Sequence, residues 1–264
     1  MTGENLTASL NNITRADNVS LKTSFWLITI ACLLLWNTPI GLTVLMPVNY
    51  VVTMIHELSH AITCLATGGH VSGLTIVSDG LGHGGLTYCS GGNPWLYTPA
   101  GYIGTTVVGC LLIFFSQFRI LSRVLLFSLG LSVILAAVFF STGSIFMPGM
   151  LFQALGSILA ELIMGSMFIL ASLKLNDKMA NLLILFLSVQ IVLNSLTDLT
   201  VLFQISTSIN QATFSDATNM AKISNIPPAI WSVIWATTSL AMLWLTLKIS
   251  YLKSTPTRIK KNND

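Results

Sequence analysis

The chain has 264 residues, of which 53% are hydrophobic and only 8% charged, where a soluble domain carries about 25% charged residues. With a mean hydropathy of +0.78 there is too little polar surface to cover a water-soluble globule, and one membrane domain is the simplest count. The net charge is +3, and the five bases Lys248, Lys253, Arg258, Lys260 and Lys261 follow the last apolar stretch, an arrangement that marks the cytoplasmic side and needs no nucleic acid to explain it.

Residues 1–23 read as a polar N-terminal tail without a cleavable signal peptide; the sequons at Asn5, Asn12 and Asn18 are what chance gives in an Asn-rich stretch. A membrane-embedded domain is expected over 24–253 and a basic tail over 254–264. Apolar stretches fall at Ser24–Met46, Val48–Leu65, Tyr102–Phe118, Val124–Phe140, Met150–Leu173, Leu182–Ile205 and Ile230–Leu247. Each approaches the roughly 20 residues a spanning helix needs, and in lipid only a helix satisfies its own backbone along such a stretch. The expected fold is therefore an all-α polytopic protein of about six or seven transmembrane helices.

The bases in the connectors test the count. Arg119 and Arg123, then Lys174 and Lys178, fall in alternate connectors. Seven spans with the N-terminus outside put every one of these on the side of the C-terminal tail; Arg15 and Lys22 argue the other way, and six spans agree only if a segment re-enters. Between Gly68 and Gly92 nine glycines interrupt the β-prone pieces Val71–Val77 and Gly85–Tyr88. This predicts a small hairpin or loop docked on the helices.

The chemistry concentrates at His56-Glu57-Leu58-Ser59-His60. On a helix, positions i and i+4 share a face, so both imidazoles can reach one metal, and Glu57 can take a proton from a water that the metal activates. The chain has nine acidic residues and four histidines, yet three of them crowd into this one apolar helix. Ionisable groups there cost roughly 3 kcal/mol each, and a shared metal offsets that cost. Asp198 in the sixth stretch is the expected third ligand, and Asn194, one turn earlier, is expected to orient a ligand or bind a substrate carbonyl. Glu161 reads as a packing or protonated group, and Asp216 as a solvated or helix-capping residue. His70 and His83 read as loop residues. Cys32, Cys64, Cys89 and Cys110 lack paired spacing and read as small core residues, although Cys64, four residues after His60, is also a candidate sulfur donor.

The segment His56–Val71, HELSHAITCLATGGHV, resembles the zinc helix of the site-2-protease-like membrane metallopeptidases, in particular their compact bacterial branch without PDZ domains. In that branch a Gly-Gly turn (here Gly68-Gly69), a glycine-bearing β segment (Gly84-Gly85-Leu86-Thr87) and a Pro-Ala-Gly-Tyr element (Pro99–Tyr102) follow. An Asn and an Asp spaced by one turn (Asn194, Asp198) come next, then a Ser-Asp-Ala element (Ser215–Ala217) before a Pro-Trp-containing helix start (Pro227–Trp231). The likeness spans about Val48 to Trp231. It implies zinc held by His56, His60 and Asp198, Glu57 as the base, and a membrane protein or peptide as substrate. It also implies a multi-pass protein of the bacterial inner membrane, and the basic tail puts the C-terminus in the cytoplasm. One departure stands out: better-known members carry the Asp within Asp-Gly, and here Leu199 follows Asp198. The alternatives to an intramembrane endopeptidase are a non-enzymatic membrane protein that binds or transports metal, and an inactive protease-like scaffold.

Overall fold

The computed structural model describes residues 18–77, 84–207 and 215–252. Among these, eight α-helices and one two-stranded sheet follow in the order α1 (Asn18–Trp36), α2 (Pro39–Ala66), β1 (His70–Thr75), β2 (Leu86–Ser90), α3 (Pro94–Phe115), α4 (Arg119–Phe139), α5 (Leu151–Lys174), α6 (Asp177–Thr207), α7 (Asp216–Ser224) and α8 (Pro228–Leu247). A 3-10 turn at Ser141–Phe146 joins α4 to α5. Six helices, α2 to α6 and α8, are long and apolar enough to cross a membrane; the apolar part of α1, Leu21–Trp36, is shorter.

The first apolar stretch breaks elsewhere than its composition suggests. Pro47 lies inside α2, and the helix starts instead at Pro39, where the Thr38 side chain accepts from Gly41 N at 3.0 Å. A capping Thr followed by Pro in the first turn is a strong start signal, whereas Pro within a membrane helix is tolerated. The helix α1 begins inside the stretch read as a polar tail. Its Phe25 ring packs on Tyr251, just past α8, with centroids 5.2 Å apart. At its far end Trp36 Nε1 donates to Gln190 Oε1 (3.2 Å), part-way along α6. So α1 starts beside the C-terminus of α8 and climbs only part of the bundle.

Two ends of the bundle can be told apart by their hydrogen bonds. At one, Asn181 Nδ2 donates to Ser116 O (2.5 Å) and Ser122 Oγ (3.0 Å), while Arg123 Nε and Nη2 donate to Ser172 O (2.7 Å) and Leu173 O (3.2 Å). The arginine thereby satisfies carbonyls left open at the C-terminus of α5. At the other end sits the hairpin. Ser144 Oγ donates to Leu74 O (3.0 Å), and Ser157 Oγ accepts from Ile76 N (2.8 Å) and Val77 N (3.2 Å).

The strands pair antiparallel, His70 with Ser90 and Leu74 with Thr87, with an irregularity between Val71 and Gly73. Their tie to the bundle is covalent. Cys64, near the end of α2, forms a disulfide with Cys89 of β2, Cα atoms 6.2 Å apart. This corrects the reading of these two cysteines as core fillers and of Cys64 as a sulfur donor; a separation of 25 residues carries no local signal of pairing. Cys32 and Cys110 are free and buried.

The core is built where α2, α4 and α6 meet, around Met54, Ile55, Leu126, Val133, Ile184 and Ile191. On its other side α2 lies against α3 with no room to spare. A Cβ at Gly101 would collide with the rings of His56 and His60, and one at Gly104 with Ser59. Small residues let membrane helices approach this closely, and here they bring α3 directly onto the face that carries both histidines.

Candidate metal centre

His56 and His60 project from one face of α2, as their spacing predicts. His60 Nε2 lies 3.1 Å from His56 Nε2. The His60 Nδ1–H donates to the Tyr97 carbonyl of α3 at 2.6 Å, which fixes the ring and leaves Nε2 as the nitrogen that can face a metal, the usual support for a metal-binding imidazole. The His56 ring meets Tyr102 edge-on at 4.6 Å, and Tyr102 stacks on Trp235 of α8 at 5.5 Å.

The carboxylate that meets the two rings is Asp216. Its Oδ2 lies 3.3 Å from His56 Nε2 and 3.3 Å from His60 Nε2. Among the described residues, His56, His60 and Asp216 form the one group of three or more His, Cys, Asp or Glu side chains that could hold an ion. The local cause is the nine-residue α7. Ser215 caps it reciprocally with Thr218, and Ala217 and Met220 bury themselves in a cluster with Leu199, Leu202 and Trp235. Seating that apolar face leaves Asp216, in the first turn, over the imidazoles. Burial pushes the Asp216 carboxyl up, but the adjacent rings of His60 and His56 outweigh it and hold the group below the usual carboxylate range.

The donor triangle fits zinc. A tetrahedral site with bonds of 2.0–2.1 Å sets its ligand atoms about 3.3–3.4 Å apart, and the three edges here are 3.1, 3.3 and 3.3 Å. The missing side chain at Gly101 keeps the space beside both Nε2 atoms clear. A zinc ion held by these three donors would have a fourth position open to water or substrate.

Glu57 is buried at 6% exposure. Its Oε2 accepts from Thr87 Oγ1 of β2 at 2.7 Å, and its main-chain carbonyl lies 3.0 Å from the same hydroxyl. The hairpin therefore reaches into the site through one threonine, which composition had marked only as part of a glycine-bearing β segment.

Other expected residues are not among these three donors. Asp198 is absent from the converging donors: on α6 the buried positions around it are Ser195, Leu199 and Leu202, and Asp198 itself is exposed. Asp216, rather than Asp198, is the carboxylate that meets both rings, while Asp198 lies near enough to His56 to interact with it electrostatically. Asn194 spends its amide on its own helix, donating to Gln190 O at 2.9 Å, and is not placed as a partner of the three donors. Glu161 is fully buried on α5 and stands outside the group, as does the exposed His70. His83 falls outside the described residues.

A search against families matches residues 25–246 to the Peptidase M50B-like family. The chain belongs to the Peptidase M50B-like family. This is the site-2-protease family of zinc metallopeptidases, and membership together with the six apolar helices makes the chain an integral multi-pass membrane protein. No curated protein and no solved structure matches this M50B-like chain.

Proposed function

We propose that this M50B-like protein hydrolyses peptide bonds in or near the membrane, with His56, His60 and Asp216 as zinc ligands and Glu57 as general base. The observation that carries the reading is the donor triangle, whose edges suit tetrahedral zinc and whose rings are held by Tyr97 O on one side and Tyr102 on the other. A zinc ion held there supplies Lewis acidity toward the scissile carbonyl and toward water.

The protein's own residues do the rest. Glu57, whose carboxyl is buried and interacts electrostatically with His56, His60 and Asp216, takes the proton of the attacking water and delivers it to the leaving amine. Thr87, by donating to Oε2, fixes which carboxylate oxygen is engaged and leaves the other to act. The β hairpin also offers a place for substrate: a helical segment hides its peptide groups and must unwind before attack, and an extended segment can be held by strand addition.

Metal analysis combined with Glu57→Gln tests the proposal. The purified protein should carry stoichiometric zinc. Glu57→Gln should keep the metal while cleavage of a membrane-anchored test peptide falls by at least the roughly 10²–10⁴-fold typical of general base loss. A metal-free wild type, or a Glu57→Gln variant that cleaves normally, overturns it.

A further inference from the structure

We propose that the metal centre opens on the non-cytoplasmic side of its membrane, so that, resting on the peptidase reading above, its substrates are polypeptides whose scissile segment lies in, or just beyond, the non-cytoplasmic leaflet. Three separate features of the fold point the same way.

The first is charge. Arg119 and Arg123 open α4, Lys174 ends α5, Lys178 opens α6 and Lys248 follows α8. The bonds of Arg123 to Ser172 and Leu173, and of Asn181 to Ser116 and Ser122, gather the first three of these helix ends into one layer. Phe25 on Tyr251 brings the start of α1, with Lys22, to the end of α8. An even number of long spans, with α1 climbing only part-way, therefore puts Lys22 on the same side as the rest. Among the described residues, the opposite layer carries only Lys222 as a lysine or arginine. Basic residues in short connectors stay in the cytoplasm.

The second is the Cys64–Cys89 disulfide, which lies in that opposite layer, joining the end of α2 to the hairpin. Disulfides persist in oxidising compartments and are rare where thiols are kept reduced. Charge and cross-link are unrelated kinds of evidence, and each assigns the same layer to the outside.

The third is where the donors lie between the layers. His60 is about 9 Å of helix rise from Ala66 at the hairpin end of α2, against about 32 Å from Pro39 at the other. Asp216 belongs to no span at all: it comes from the short α7, between the hairpin-end termini of α6 and α8. The site is thus assembled from residues reached from the hairpin side, and the chain segments that cover it are the hairpin and α7.

The test is topological and independent of cleavage. In the full-length protein in intact cells, Asn219→Cys on α7 and Met179→Cys near the start of α6 supply one exposed thiol in each layer, with Cys32 and Cys110 buried. A membrane-impermeant maleimide should label Asn219→Cys directly and Met179→Cys only after permeabilisation. In the unsubstituted chain, a mass-tagging maleimide added to denatured protein should reveal two further thiols only after reduction. Labelling in the reverse order overturns the proposal, as does free reactivity of Cys64 and Cys89 without reductant. Should the labelling hold while the Glu57→Gln protein still cleaves, the orientation stands and the peptidase reading fails.

Discussion

Asp216 Oδ2 lies 3.3 Å from His56 Nε2 across 160 positions of chain. Of the acidic side chains within reach of α2, this is the one that turns a pair of histidines into a three-donor site, and it comes from a connector rather than a span. Asp216→Ala should lower zinc affinity by more than the roughly 10–100-fold that loss of an outer-shell partner costs. Asp198→Ala should keep its metal. Zinc content of the two purified variants, measured side by side, checks the assignment, and retention in Asp216→Ala with loss in Asp198→Ala would reverse it.

Gly101 is held to glycine by the imidazoles. A methyl there would stand in the space of His56 Nε2 and His60 Nε2. Gly101→Ala should therefore lose metal and cleavage together. Its thermal unfolding should shift little, because Ala favours the helix interior by about 0.5–1 kcal/mol over Gly against an overpacking cost of about 1–3 kcal/mol. Zinc content and a melting curve on the same sample separate the two effects.

Thr87 donates to the side chain of Glu57 and adjoins its carbonyl. A hydrogen bond to a charged group contributes about 1.5–3 kcal/mol, so Thr87→Val should reduce kcat by roughly 10-fold or more with little change in KM. Thr87→Ser, which keeps the hydroxyl, should recover most of the rate. An equal loss in both variants would make the threonine a packing residue.

Removing the cross-link probes the hairpin. Closing a 25-residue separation constrains the unfolded chain by about 3.5 kcal/mol in the loop-entropy account. Cys64→Ser with Cys89→Ser should lower the thermal midpoint and also cut activity, because β2 carries Thr87. The comparison of Tm and kcat against the Thr87→Val variant shows how much of the loss travels through that one side chain.

Much of this was legible in the sequence. The two histidines on one helix face and the helical membrane fold follow from periodicity and from the cost of burying ionisable groups in lipid, both local properties. The glycine-rich stretch announced a hairpin for the same reason. What could not be read was long-range. Asp198 looked the better ligand because an acid inside an apolar helix needs a partner, yet the carboxylate that meets both rings is that of Asp216. Asp216 carried a weaker signal, a Ser-Asp-Ala element whose capping role is real: Ser215 caps α7, and the cap is what delivers the next residue to the rings. The Cys64–Cys89 pair and the hydroxyl of Thr87 depend on how the hairpin folds back, which no spacing encodes.

The helices α4 and α5 are fastened at both extremities. Arg123 clasps the Ser172 and Leu173 carbonyls at one, and Ser144 and Ser157 grip the main chain of β1 and its continuation at the other. These two helices and the hairpin thus form a single braced post, and the disulfide bolts that post to α2. The flank built from α7 and α8 lacks that bracing to the hairpin and meets the centre through the Tyr102–Trp235 stack, the Asp216 carboxylate and the apolar cluster around Met220, so on the peptidase reading proposed above it is the side that yields to an incoming polypeptide.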